Sequence, residues 1–446
     1  MADLLLKHNA SVDASGYEQY TPLHLASSNG HVDVAAVLLE HHAVIDARDF
    51  CEETPLHKAS WNGHLDVAAL LVEHGADVNA NAKFGETPLF YASMSGHPTV
   101  VDLLLKHKAN VEARAYDEYH ESTPLHIISN PHVYPFSNRH LHVAALLLEH
   151  GADVNAWNDS EQTPLLLASM YGHRTLADLL LKYSATIDAR DDIQSTPLHW
   201  ASSNGHLDVA AYLDVAALLL EHGAGVNARN RSQETPLILA SKSGCHAMAN
   251  LLLKHNATVN AGDGDQSSPL HEASSNGHVG VVALLLEHHA FVDAMDNEQL
   301  TPLHRASSKG HVDVVALLLE HHAFVDARDY DQCTPLHKAS SNGHLDLDDL
   351  VAFRLEHNAD VNTRNRLEDV ARLLLKHGAD VNARNRFEDT PLIIASIWGR
   401  HTMAELLLKH NATIDARDVD QSTSLHRASS RGHLDVVALL LEHNAD

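Results

Sequence analysis

The amino-acid sequence predicts an all-α solenoid, a stack of short helix pairs with a β-hairpin finger leading into each pair. Two observations predict it. Thr-Pro-Leu or a close variant recurs at positions 21, 54, 87, 123, 163, 196, 235, 268, 301, 334, 390 and 423, and most intervals are 33 residues. Within each period a glycine such as Gly310 is followed by an apolar run such as Val314 to Leu319. One such unit cannot bury its own apolar faces and needs a neighbour on each side.

The elements follow from local chemistry. Thr301 before Pro302 reads as a hydroxyl N-cap with proline at the first helical position, where no amide partner is needed. Gly310 ends that helix by taking the left-handed conformation. Asp313 opens a second helix, where its charge suits the dipole. His322 closes it, and glycine, asparagine and histidine dominate this closing position down the chain. A polar finger then returns to the next Thr-Pro-Leu. Most fingers carry Gln or Glu where only Gly85 keeps a glycine, so their turns are expected to differ from a standard hairpin.

The whole pattern, TPLH, then alanine, then GH, then LLLEHGADVNAR, resembles the ankyrin repeat and covers essentially the entire chain. The resemblance implies a curved stack of helix pairs with β-hairpin fingers that binds other proteins. On this reading residues 1–446 are a single array. Twelve two-helix repeats start at the twelve positions above, with half repeats at 1–20 and 369–389. The chain opens half-way through a repeat at Met1 and stops after a second helix at Asp446. It is therefore read as part of a longer array, and the alternative function is the regulatory arm of a larger signalling protein.

Irregular units mark expected weak seams. Three extra residues lengthen the finger at Ala115 to Ser122, and seven lie between the helices at Asn130 to Ser137. That unit also places Ile128 where others have alanine, which invites overpacking. A six-residue segment is doubled at Leu207 to Leu218. Extra residues fall near Leu347 to Asp349, and the 369–389 unit is read as having lost its first helix.

A formal charge of −28 argues against nucleic acid as a partner. No apolar run approaches a membrane span. Cys51, Cys245 and Cys333 have no framework spacing, which predicts free thiols and an intracellular, cytoplasmic or nuclear, location. The 39 histidines sort by repeat position, eight in the TPLH slot and nine after the inter-helix glycine. By resemblance the TPLH histidine ties its repeat to the neighbouring hairpin backbone. A zinc site needs ligands at about 2.0–2.3 Å, whereas packed helices set equivalent histidines roughly 8–10 Å apart. The pairs His288-His289 and His321-His322 come nearest to a metal set. No phosphate loop, GxSxG or HExxH occurs, so no enzyme activity, cofactor or metal is expected.

The informative positions vary while the scaffold repeats. The resemblance places the slot after TPLH and the slots before the glycine on the concave side. Candidate partner-binding residues there are Trp61, Tyr91, Met94, Tyr171, Trp200, Arg305, Lys309, Lys338, Trp398 and Arg427. Aromatics gather early and basic residues late. The expected partner of this monomer is another protein in extended form. Its apolar part would lie against the units from Thr54 to Gly205, and its acidic part would reach those from Thr301 onward.

Overall fold

In the computed structural model the described residues are 11–117, 120–130, 136–205, 209–341 and 360–445. Expectations for the first ten residues of the opening half repeat, within the insertion after Asn130, at Leu207 and at Leu347 to Asp349 fall outside them. The chain divides into two compact units, Met1–Gly225 and Val226–Asp446, each described by itself. Among the described residues there are 24 α-helices and a single two-stranded pair.

The Thr54 repeat shows how the first unit is assembled. Thr54 caps helix Pro55–Asn62, and the His57 side chain turns back to the cap amide. Gly63, at φ 74°, ends the helix, and Leu65–Glu73 begins two residues later. His57 Nδ1 accepts the Thr54 amide proton (3.0 Å), so the imidazole keeps its own proton on Nε2 and donates it to the Glu86 carbonyl of the next finger (3.1 Å). His64, after the glycine, reaches the other way to the Ser28 carbonyl (3.0 Å). The Thr54 repeat is thus tied forward by one histidine and backward by another, whereas the repeats at Thr87, Thr163, Thr235 and Thr390 carry Phe90, Leu166, Ile238 and Ile393 in place of the forward histidine. Leu56, Ala59, Val67 and Leu71 fill the space between the helices and are fully buried. The second unit repeats this scheme, with His304 donating to the Cys333 carbonyl (3.0 Å) and His311 to the Ser275 carbonyl (3.0 Å).

The fingers depart from the expected hairpins. Asp49 to Glu53 is a tight turn closed by two backbone bonds, from the Asp49 amide to the Glu53 carbonyl (3.0 Å) and from the Glu52 amide to the Asp49 carbonyl (2.9 Å), too short for a strand pair. Neighbouring fingers join through single bonds, as from the Phe50 amide to the Glu18 carbonyl (2.9 Å). Among the described residues only the lengthened finger forms paired strands, β1 (Ala115–Asp117) and β2 (His120–Ser122). The missing glycines do not change the turn. Glu52, Gln194, Gln266, Gln299 and Gln332 hold φ between 60° and 62°, the left-handed region of Gly85. Each bears a strain of roughly 1–2 kcal/mol for doing so.

At two irregular units a substitute side chain supplies the backward tie, whereas His173, stacked on Phe136, has no hydrogen-bond partner at Nε2 among the described residues. In the Thr123 unit helix Asn138–Glu149 follows the insertion, and its His140 reaches the Met94 carbonyl (3.2 Å). In the duplicated unit Tyr212, on helix Val209–Glu221, donates to the Met170 carbonyl (3.0 Å). Ile128 is buried, and its helix Pro124–Ser129 ends early, at an extended Asn130.

The Thr334 region corrects the sequence reading most. Residues 369–389 are not a half repeat beside a complete one. Helix Asp360–Lys376 packs on Pro335–Ser340 as that unit's own second helix. His337 donates to the Asp389 carbonyl (3.0 Å), and Arg328 reaches the Arg384 carbonyl (2.7 Å). Among the described residues, helices Pro335–Ser340 and Asp360–Lys376 therefore pair as one repeat whose finger ends at Asp389.

Candidate partner-recognition face

The candidate residues lie on or just after the first helices. In the first unit they form part of a network across three repeats. Lys58 pairs with Asp49 (2.8 Å) and Glu53, lies over the Tyr20 ring at 4.8 Å, and donates to the Tyr20 hydroxyl (3.3 Å). Glu53 also accepts the Tyr91 hydroxyl proton (2.6 Å). Tyr91 in turn meets Trp61 edge-on, with ring centroids 5.3 Å apart. Burial raises the Tyr91 pKa, and the Glu53 carboxylate adds to the rise. Burial opposes the Lys58 charge, but its two carboxylate partners outweigh that and raise its pKa. Trp61 and Tyr91 stay half-buried, held in place with one side outward.

Met94 ends the helix of Tyr91, Pro88–Met94, and Tyr171 follows helix Pro164–Met170; both are half-buried. Trp200 donates its indole proton to Asp191 (2.8 Å). In the second unit Lys309 is exposed at the end of helix Pro302–Lys309, and Trp398 is exposed after Pro391–Ile397.

Arg305, Lys338 and Arg427 are not free charges. Arg305 binds Asp296 through Nη2 (2.6 Å), Lys338 binds Asp329 (2.6 Å), and Arg427 binds both Asp418 (2.6 Å) and Asp420 (2.7 Å). Three of the basic residues expected from sequence to meet a partner are therefore neutralised within the chain. The aspartates are what the sequence reading missed. Each sits at the base of a finger, where one carboxylate oxygen accepts amides of its own turn, as Asp296 Oδ1 does from Glu298 and Leu300 (both 2.9 Å). Its other oxygen is left for a donor nine residues on.

That spacing was legible. Lys58, Trp200, Arg305, Lys338 and Arg427 each stand nine residues after an aspartate. Where the finger base is Gly16, Ala82, Asn158, Asn230 or Asn385, the same slot holds Leu25, Tyr91, Leu167, Leu239 or Ile394. In these ten repeats a charged base takes a donor, and an uncharged base takes an apolar or aromatic residue. The cause is the cost of leaving a buried carboxylate without a counter-charge or hydrogen bond.

Beside this face the fingers expose large aromatics. Phe50, Phe84 and Tyr116 occupy successive fingers at 65%, 56% and 60% exposure, and Lys83 lies 5.7 Å from the ring centroids of both phenylalanines. Among the described residues no group of three or more His, Cys, Asp or Glu side chains is placed to hold a metal ion. No described helix is long and apolar enough to cross a membrane.

Serial helix pairs with a decorated first-helix face and almost no strand define an all-α repeat solenoid. Family models described as ankyrin repeats match residues 1–82, 135–216, 210–296, 270–365 and 363–446, and a second such model matches 62–105. The chain belongs to the ankyrin-repeat family. Members are generally protein–protein interaction modules and typically non-enzymatic scaffolds. A search of curated proteins returns no match.

Proposed function

We propose that this chain is a non-catalytic intracellular scaffold that binds another protein along its first helices and fingers. The observation that carries the reading is the Tyr20–Lys58–Glu53–Tyr91–Trp61 network of the first unit. It holds aromatic side chains in fixed, half-exposed positions, so little ordering entropy is lost when a partner covers them. Aromatic residues of this kind dominate interface energetics. The exposed rings of Phe50, Phe84 and Tyr116 extend the same apolar surface onto the fingers.

The test uses partners recovered by proximity crosslinking to the full chain. Trp61→Ala is expected to weaken binding by about 2 kcal/mol, as at an interface hot spot. Trp200→Ala is a poorer probe, because it removes the hydrogen bond of the buried Asp191 and destabilises the fold as well. If Trp61→Ala binds within about 0.5 kcal/mol of wild type, the range of incidental surface sites, the mapped face is wrong.

A further inference from the structure

Of the two repeats outside this pattern, the Thr123 repeat has a lengthened finger before Ile127, and the Ser268 repeat breaks the pairing of finger base and slot. In the Ser268 repeat of the second unit the base is Asp263, and nine residues on stands Glu272, where five other aspartates find a donor. Two carboxylates occupy the positions at which those repeats hold a charge pair or a charge-assisted hydrogen bond.

The structure shows the consequence twice. Asp49, Asp191, Asp296, Asp329 and Asp418 are all buried under their donors, but Asp263 stays half-exposed. Its Oδ1 still accepts the Asp265 and Ser267 amides (2.9 and 2.8 Å), so the finger itself is intact and only the cover is missing. Glu272, at 9% exposure, is buried as deeply as a core side chain, and its carboxylate makes no hydrogen bond among the described residues. A carboxylate in that position is costly without a cation. The nearest lysine, Lys242, belongs to the preceding repeat and is paired to Glu234 at 3.0 Å. Burial works against the Lys242 charge, yet the Glu234 bond, followed by the fields of Glu234, Glu272 and Asp263, raises its pKa. All three carboxylates thus act on the charge of Lys242, which is bonded to Glu234 alone among them.

We propose that Asp263 and Glu272 form a notch that receives an arginine or lysine side chain of the partner protein. The shape of the answer is already present one repeat later, where Arg305 fills the same place and binds Asp296 through Nε (3.2 Å) and Nη2 (2.6 Å). A guanidinium from outside takes the position that the chain's own arginine takes there. A divalent ion is the less favoured occupant, because no three ligands converge on a metal position among the described residues.

This inference rests on the first-helix face being a protein-binding surface, but its test needs no natural partner. The full chain is titrated with a blocked glycine–arginine–glycine tripeptide and followed by backbone-amide NMR, with glycine–glutamate–glycine as control. Saturable shifts are expected at the Asp265, Ser267 and Glu272 amides with the arginine peptide alone. Glu272→Gln should weaken that binding by about tenfold, the loss of one charge-assisted contact. Glu272→Arg should abolish it and raise Tm, because the new arginine pairs with Asp263 as Arg305 pairs with Asp296. The idea is overturned if no localised shifts arise, if the shifts spread along the acidic surface, or if they survive Glu272→Arg. It is equally overturned if calcium chloride alone produces the same shifts. Such a failure leaves the scaffold reading standing, since partner capture through Trp61 is measured separately.

Discussion

The Thr301 and Thr334 repeats are neighbours in the second unit, and they reach the same architecture from different lengths of chain. In the first, His304 donates to a carbonyl 29 residues ahead; in the second, His337 donates to one 52 residues ahead, at the same 3.0 Å. Asp326 accepts the Asp380 amide across 54 residues, where Asp293 accepts that of Phe324 across 31. Both of these ties are kept while the number of residues between their ends changes. A repeat is therefore defined by its contacts and not by its period. An insertion between the helices is tolerated because the entropy of closing a loop grows slowly with length, while each buried contact is retained in full.

Acid offers the largest test of this equivalence. Burial, only partly offset by hydrogen bonds to the Cys333 and Asp389 carbonyls respectively, pushes both His304 and His337 down to about 4. His57 and His126 behave alike. An unfolded histidine titrates near 6.5, so the unfolded chain binds more protons between about pH 6.5 and 4. The stabilisation is complete above that window and is lost as pH falls through it. Each such histidine contributes a slope approaching about 1.4 kcal/mol per pH unit. Asp389, raised to about 6 by burial and by Asp418, works in the opposite direction but stands against several histidines. Imidazole NMR should show His304 and His337 beginning to titrate together near pH 4. A His337 midpoint near 6.5 would mean that the interrupted repeat is open.

The second test concerns the helix reassigned by the structure. Leu318 and Leu374 are both fully buried on second helices. Leu374→Ala should cost about 2–5 kcal/mol, as Leu318→Ala should, because both open cavities in a packed core. Chemical denaturation of the two variants measures it. A Leu374→Ala cost below about 1 kcal/mol would place that helix outside the core and restore the half-repeat reading.

The smallest effect sharpens the comparison at the fingers. Gln299 and Gln332 precede the two repeats at φ 60° and 61°. Replacing either by glycine removes the left-handed strain, and the gain should be about 0.5–1 kcal/mol once the added freedom of the unfolded chain is subtracted. Equal gains at both sites indicate equal finger geometry. A loss at Gln332 alone would show that the insertion distorts the finger leading into it.

Much of this was legible in advance. The helix starts at Thr54 and Thr301, the stops at Gly63 and Gly310, and the closing His322 at φ 65° are as the sequence implies. Trp61, Tyr91 and Trp200 lie on the first helices Pro55–Asn62, Pro88–Met94 and Pro197–Asn204. The aspartates behind Arg305, Lys338 and Arg427 were overlooked because a pairing across nine residues matches neither helix nor strand periodicity. It exists only because a finger folds back over the helix that follows it.

The sequence by itself determined the repeat family, the register of each Thr-Pro-Leu and the capping of nearly every helix, because those depend on residues within a few positions of one another. The tertiary structure alone decided which second helix completes the Thr334 repeat. The run Leu373-Leu374-Leu375 reads like any other second helix, and only the burial of Leu374 against Pro335–Ser340 assigns it. It also decided which charges remain unanswered. Arg305 and Glu272 occupy the same slot of successive repeats, and the three-dimensional approach of Asp296 or Asp263 makes one a closed pair and the other an open notch. The physical reason is common to both. Burial and charge compensation belong to groups that meet in space, and a chain of near-identical repeats offers many candidates for each meeting.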